Sequence, residues 1–138
     1  MGRAAPAAAP AIDRLRLWRR GAGAWAVVVL GASSWPNPPA AAELGVDIPG
    51  LDKLTHVFLY GVQGFLVWRA IRWPGEIRVF SLMRVLAVAG SIAVLGTVDE
   101  VHQLWIPGRS MEGGDLLADL AGGAVGAFLA SARSARRA

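Results

Sequence analysis

The stretch DEVHQLWIPGRSMEGGD, from Asp99 to Asp115, joins two long apolar segments and decides how the whole sequence is interpreted. It carries four acids, a histidine, a glutamine and an arginine. The surrounding chain is 54% hydrophobic and only 17% charged over 138 residues, which is apolar for a soluble domain. A polar hairpin between apolar segments is typical of a membrane protein, because polar loops lie outside the hydrocarbon.

Four apolar segments can be marked outward from this stretch, at about 21–36, 54–71, 80–98 and 115–131. A helix needs about 20 mainly apolar residues to cross a bilayer. Each of these segments is short or is interrupted by polar residues, and a buried helix of a soluble protein would have a similar sequence. Length and hydropathy therefore do not decide between the two classes of protein.

The distribution of charge decides between them. Twelve of the 14 basic residues precede the first segment, lie at or between the facing ends of the second and third, or follow the fourth. Lys53 and Arg109 lie in the alternate connections, together with eight of the ten acids. Because positive flanks stay in the cytoplasm, this pattern predicts four spans with both termini cytoplasmic, in the bacterial inner membrane.

The predicted fold class is therefore all-α, a polytopic membrane protein with a four-helix transmembrane bundle and short loops. Residues 1–20 are expected to be a disordered, basic cytoplasmic segment, 21–131 the membrane domain, and 132–138 a basic cytoplasmic tail. No connection is long enough for a separate soluble catalytic domain.

The first apolar segment has an alternative interpretation as a cleaved secretory signal. Two arginines precede it, and the AAA at 40–42 resembles a cleavage site. About ten residues, including three prolines, separate the apolar run from AAA, which is longer than a signal peptide normally has, so a retained span is favoured.

The composition excludes several classes of function. The chain has no cysteine, which excludes disulfides, thiolate chemistry and cysteine-ligated metals. Any metal would need histidine and carboxylate ligands. The net charge of +4 does not indicate nucleic-acid binding, because the basic residues flank apolar runs and form no basic patch.

Polar residues follow one face of the second predicted helix. Asp52, His56, Tyr60 and Gln63 recur at helical spacing, and Lys53 lies beside the first of them. In lipid such a stripe must turn inward to find partners, because an unpaired polar group in hydrocarbon costs several kcal/mol. We therefore expect this face to line the interior of the bundle.

The third and fourth helices add polar faces at the same end of the bundle. Asp99, Glu100, His102 and Gln103 end the third helix, while Asp115 and Asp119 lie four residues apart at the start of the fourth, where Asp115 is expected to cap the helix.

Two further features involve glycine. Pro107-Gly108 fits the central positions of a type II turn that would direct Arg109 back over the bundle. Gly122 and Gly126 form a small-xxx-small face, for which close helix packing is the favoured role.

These motifs together resemble the VanZ-like family of small bacterial membrane proteins, named for a protein associated with teicoplanin resistance. The resemblance rests on D-K-x-x-H-x-x-x-Y at 52–60 and on D-E-x-x-Q, P-G-R and D-x-x-A-D-x-x-G within 99–122, and it covers about residues 30–130. Asp119 stands where the family more often has Asn, and Glu112 where a small hydroxyl residue is common. The first departure adds a charge to the expected pocket.

Three functions fit this polar cluster. The first is binding or shielding of a lipid-linked envelope precursor or a lipoglycopeptide at the bilayer surface, as in glycopeptide resistance. Lys53 and Arg109 would contact phosphate or carboxylate, and Trp35 and Trp105 would anchor the interface. Because acids outnumber bases here, a free anion would need a bridging divalent cation.

The second candidate is a membrane-embedded hydrolase or transferase acting on a lipid-linked substrate, with His56 or His102 as general base or as weak metal-ligand candidates. No compact ligand motif such as H-E-x-x-H supports it, so no metal site is predicted from the sequence. The third is a structural role without a ligand, in which an ion-pair network locks the outer ends of the bundle; its members would be Asp52, Lys53, Asp99 and Arg109. Catalytic residues and oligomeric state stay undetermined, and the functional cluster is predicted to comprise Asp52, Lys53, His56, Tyr60, Asp99, Glu100, Gln103, Arg109, Asp115 and Asp119.

Overall fold

A computed structural model of the chain describes residues 11–36, 50–71 and 82–135. Within these ranges the secondary structure consists of four α-helices and no strand. They are α1 (Ala11–Ser33), α2 (Leu51–Ala70), α3 (Leu82–Gln103) and α4 (Gly113–Ala135). The prediction of an all-helical chain is therefore confirmed.

Some predictions fall outside the described residues. These are the predictions for the extreme N-terminus, for the AAA sequence at 40–42, for the start of the third apolar segment and for the end of the C-terminal tail. Eight of the charged residues used to predict the topology also lie outside the described residues: Arg3, Glu43, Asp47, Arg72, Glu76, Arg78, Arg136 and Arg137.

The first helix begins earlier than the apolar segment at 21, so residues 11–20, expected to be disordered, are helical. Asp13 lies in the first turn, where a negative charge interacts favourably with the helix dipole. Farther along, the ring of Trp18 packs edge-on against Phe65, with 6.3 Å between ring centroids, and the guanidinium of Arg69 lies 4.8 Å from the same ring. These contacts with α2 hold the basic part of α1 in the bundle.

The closest pair of helices is α2 and α4. A Cβ atom at Gly122 would overlap the carbonyl oxygen of Val57, and one at Gly126 would overlap that of Gly61. Gly64 meets Gly123 in the same way farther along the contact. The packing role predicted for Gly122 and Gly126 is confirmed, because only residues without a side chain let the two backbones approach this closely.

The apolar side chains of the bundle face outward as well as inward. α3 and the part of α4 from Gly113 to Arg133 are long and apolar enough to cross a membrane, yet only 22% of the most apolar part of α3 is buried. Val94, Val125 and Phe128 are more than half exposed. A soluble protein rarely exposes so much contiguous apolar surface, and together with the two apolar helices this suggests a membrane protein.

The connection between α3 and α4 brings their polar ends together. Gly108 has a φ of 77°, and the Arg109 N–H donates to the Ile106 carbonyl at 3.1 Å, which confirms the predicted turn. Only glycine adopts this backbone conformation without strain. The tight turn places the first residues of α4 beside the last residues of α3, where the candidate site lies.

Candidate functional site

The polar residues at this end of the bundle form two adjacent groups. The inner cluster is buried between the helices and comprises His56, Tyr60, Asp99, Glu100 and Asp119. The outer cluster lies at the helix ends and comprises Asp52, Lys53, Glu112 and Asp115. We use these two names throughout.

His56 connects α2 to α4 at the centre of the inner cluster. Its Nδ1 lies 2.8 Å from Oδ1 of Asp119, which is fully buried. Its Nε2 lies 3.8 Å from Oδ2 of Asp115, so the ring stands between two carboxylates. The His56 and Tyr60 rings are nearly parallel, with 6.3 Å between centroids. Asp119 is thus paired with a histidine of α2.

Asp99 brings α1 into the same cluster. The Tyr60 hydroxyl donates to Asp99 Oδ2 at 3.3 Å, and the Ser33 hydroxyl donates to Asp99 Oδ1. All three side chains are buried. A carboxylate buried in this way needs such donors, because it has lost its water.

Two carboxylates of the inner cluster keep an oxygen without a partner. Glu100 is 1% exposed, and its Oε2 accepts a hydrogen bond from the Glu112 N–H at 2.7 Å. Its Oε1 and the Oδ2 of Asp119 are buried without a hydrogen-bond partner in the described part of the chain. Buried polar atoms of native proteins are nearly always paired with protein, water or an ion, so each of these two oxygens can accept one further partner.

The outer cluster is centred on Lys53. Its Nζ lies 3.0 Å from Asp52 Oδ2, 3.1 Å from Asp115 Oδ1 and 3.2 Å from Glu112 Oε2. The hydrogen bond from Lys53 holds the pKa of Asp52 below its ordinary value, and the hydrogen bonds to Asp52, Asp115 and Glu112 raise the pKa of Lys53. Lys53 is already surrounded by carboxylates and stays charged.

Other predicted residues have different surroundings from those expected. Asp115 lies in the first turn of α4, where it bonds Lys53, and is not the cap of the helix. The polar face of α2 turns inward at Tyr60 and Gln63, as expected, whereas Asp52 is exposed. Gln103 is 2% exposed and its Nε2 has no partner among the described residues.

Arg109 is half-buried beside this end of the bundle. Its Nε is buried without a hydrogen-bond partner in the described ranges. The ion-pair network that was expected to include Asp99 and Arg109 is therefore built differently: Asp99 bonds hydroxyl groups, and Lys53 forms the ion pairs.

Two groups of side chains could hold a metal ion. The candidate ligand atoms of His56, Glu100 and Asp119 all lie within 4.8 Å of one another, and so do those of Asp52, Glu112 and Asp115. Within the described residues His102 belongs to neither group. Its Nε2 instead lies 2.9 Å from the Ser34 hydroxyl.

Ser33 and Ser34 contribute to the site but were not identified from the sequence. They lie at the end of an apolar run and carry no charge, and their side chains also bond backbone carbonyls of their own helix, at Val29 and Leu30. The one signal available was a pair of hydroxyl residues that ends the first apolar segment at the level of the other polar faces.

An apolar groove runs between α1 and α3. Val27, Leu30, Val98 and Val101 line it, and Ser34 and His102 lie at its polar end. No residue of the inner cluster lines the groove, although Ser34 is the chain neighbour of Ser33, which bonds Asp99.

A protein-family model described as VanZ/LLP1 matches residues 16–134, which include all four helices except the ends of α1 and α4. Comparisons of the sequence with curated proteins and with solved structures gave no match. The matched region contains every residue of both clusters.

Proposed function

The chain belongs to the VanZ/LLP1 family, and from this premise we propose that it binds or shields an anionic, lipid-linked ligand of the cell envelope. The observation that carries the proposal is the inner cluster, where ionisable side chains from α2, α3 and α4 meet in a buried site. Two of its carboxylate oxygens have no hydrogen-bond partner among the described residues. Ionisable groups inside a membrane protein are costly and usually mark a site.

The proposed topology has four spans, with both termini in the cytoplasm and both clusters on the outer side. It is supported by the sorted charges and by the number of described helices. α1 and α2 are less apolar than α3 and α4, because α1 begins with arginines and α2 carries the polar face. A reporter active on one side of the membrane, fused to each terminus, tests this topology, and an external C-terminus contradicts it.

The groove between α1 and α3 supports an amphiphilic ligand. Its walls are apolar and open to the side of the bundle, as an acyl or polyprenyl chain requires, and Ser34 and His102 lie at its polar end. Arg109, with a buried Nε that has no partner in the described part of the chain, supplies a donor for a phosphate or carboxylate head group. The ligand would thus have its chain in the groove and its head group at the helix ends.

Binding can be measured with the full chain in lipid nanodiscs. The probes are a polyprenyl-pyrophosphate-linked envelope precursor and, separately, a lipoglycopeptide. We expect saturable binding of one probe, and loss of binding in His56→Ala and Arg109→Ala but not in Gly90→Ala, where a Cβ meets no atom within 4 Å. The proposal is contradicted if neither probe binds to the folded wild-type protein. Release of a free head group from the precursor would instead favour the hydrolase.

The outer cluster favours a second role, structural locking of the helix ends. Lys53 on α2 pairs with Glu112 before α4 and with Asp115 in its first turn, so one ammonium group ties the ends of the two helices together. Loss of protein abundance in Lys53→Ala, with normal ligand binding by the remaining protein, is the result expected for a structural lock.

A further inference from the structure

We propose that the inner cluster binds a divalent transition-metal ion, Zn²⁺ or Mn²⁺, through His56, Glu100 and Asp119. The ion would also be the group that receives the anionic head group of the ligand, and this second role rests on the proposed function. The metal site itself is argued from the geometry of the cluster.

The three side chains are already close to the spacing that an ion imposes. Their candidate ligand atoms lie within 4.8 Å of one another. Ligand atoms bound to one Zn²⁺ ion at ordinary distances stand roughly 3–4 Å apart. His56 Nδ1 and Asp119 Oδ1 are 2.8 Å apart, so the ion would take the place of the hydrogen that they share. Asp119 would bind the ion through both carboxylate oxygens, so that Oδ2 also gains a partner.

The unpaired oxygens are an independent observation at the same place. Asp119 is fully buried and Glu100 is 1% exposed, and each keeps one carboxylate oxygen without a hydrogen-bond partner in the described residues. Buried carboxylate oxygens of native proteins are nearly always paired with protein, water or an ion. A bound cation supplies the partner that the protein does not.

The balance of charge also favours a bound cation. Four carboxylates face His56 or lie next to it: Asp99 and Glu100 from α3, and Asp115 and Asp119 from α4. Tyr60 and Ser33 add only neutral hydroxyl groups, and the nearest ammonium, that of Lys53, is shared among three acids of the outer cluster. With Asp115 paired to Lys53, three carboxylates remain, of which a protonated imidazole offsets one negative charge and a divalent ion offsets two.

The donor set selects the kind of ion. One imidazole nitrogen and two carboxylate oxygens suit Zn²⁺ or Mn²⁺, whereas Ca²⁺ and Mg²⁺ prefer oxygen alone. Asp115 Oδ2 lies 3.8 Å from His56 Nε2, so a small approach of its carboxylate would let it accept the second ring N–H and orient the histidine. Three protein ligands leave a coordination position open, as in zinc sites that bind a further ligand. A phosphate or carboxylate oxygen would take that position.

The metal alone provides the first test. The full chain in nanodiscs is stripped with a chelator, reloaded with Zn²⁺ or Mn²⁺, and the bound metal is counted per chain. We expect one tightly held ion, with affinity at least about 10-fold weaker in Glu100→Gln and Asp119→Asn. The matched controls, Asp52→Asn and Glu112→Gln, alter the exposed acid group and should keep the wild-type affinity.

Metal that is absent from the folded wild-type protein overturns the inference, and so does affinity that falls only in the controls. A measurement on the unaltered protein avoids any folding defect of the variants. Electron spin echo spectroscopy of bound Mn²⁺ should detect one coordinated ¹⁴N from His56. Bound Mn²⁺ without a nitrogen ligand contradicts the site.

A final comparison separates this inference from the proposed function. Binding of the polyprenyl-pyrophosphate precursor is measured with the metal-loaded and the chelated protein. We expect at least a 10-fold loss on chelation. Equal binding in both states overturns the role of the ion and leaves the proposed function standing. A bound ion in the absence of any bound precursor supports the metal site and contradicts the proposed function.

Discussion

The inner and outer clusters use the same chemistry about one helical turn apart, and they differ in burial. In each, a nitrogen base on α2 meets carboxylates from α4 or from the connection that precedes it. Asp119 is fully buried and keeps an unpaired oxygen, whereas Asp52 is largely exposed and pairs with Lys53. Residue type alone therefore does not separate the two clusters. Burial does, except at Asp115, which is buried yet pairs with Lys53.

The physical reason is the cost of removing a charge from water. An exposed ion pair contributes little, because water solvates each partner almost as well as the partners solvate each other. A buried pair has lost that solvation, so removal of one partner leaves the other uncompensated. The same substitution should therefore have different effects in the two clusters.

The largest effect is expected where both clusters are disrupted together. Gly126→Leu places a side chain against the Gly61 carbonyl and the Phe65 nitrogen, so α2 and α4 cannot stay in contact. We expect no folded bundle, measured as lost resistance to thermal unfolding in detergent. Gly90→Leu is the matched control, because a Cβ there meets no atom within 4 Å. Wild-type stability of Gly126→Leu would show that the contact is dispensable.

The second-largest effect is expected for the unfolding free energy when one charged partner is removed from each cluster in turn. His56→Ala removes the partner of buried Asp119, and we expect the chelated protein to lose about 3–5 kcal/mol of unfolding free energy. Asp52→Ala removes an exposed partner of Lys53 and should change stability little. Reversible unfolding in mixed micelles measures both variants. Equal losses would mean that burial does not distinguish the clusters.

A smaller effect is expected from a single hydroxyl group. Tyr60→Phe removes one of the two hydroxyl donors to Asp99 and should cost about 1–2 kcal/mol, again by unfolding in micelles. Thr55→Val is the control on the same helix, since its exposed hydroxyl bonds only the Leu51 carbonyl. If Thr55→Val loses as much unfolding free energy as Tyr60→Phe, the buried hydroxyl does not stabilise the protein more than an exposed one.

The smallest effect concerns titration of the outer cluster. Because Lys53 lowers the pKa of Asp52, the stability contributed by this pair is present above the ordinary carboxyl pKa and is lost as pH falls through the lowered value. In Lys53→Gln the pKa of Asp52 should rise towards its ordinary value. Carboxyl ¹³C chemical shifts measured against pH test this, and an unchanged Asp52 titration contradicts it.

The sequence alone determined that the chain is helical and to which family it belongs. Helical spacing on α2 predicted that Tyr60 and Gln63 face inward, because a polar face among apolar residues has no other place to go. Pro107-Gly108 predicted its turn, because only glycine adopts the required φ at low cost. Local patterns were sufficient wherever the chemistry of a few neighbouring residues fixes the conformation.

The tertiary structure alone decided which residues meet. Asp119 pairs with His56 because the glycines of α4 let α2 approach, and no local pattern relates two residues that are 63 positions apart. Ser33 enters the site for the same reason, by packing of α1 against α3 near Asp99. The sequence shows where the acidic residues lie along the chain, but it does not distinguish the side chains exposed to water from those buried in the bundle. Burial, on which the cost of a charge depends, is a property of the packed helices.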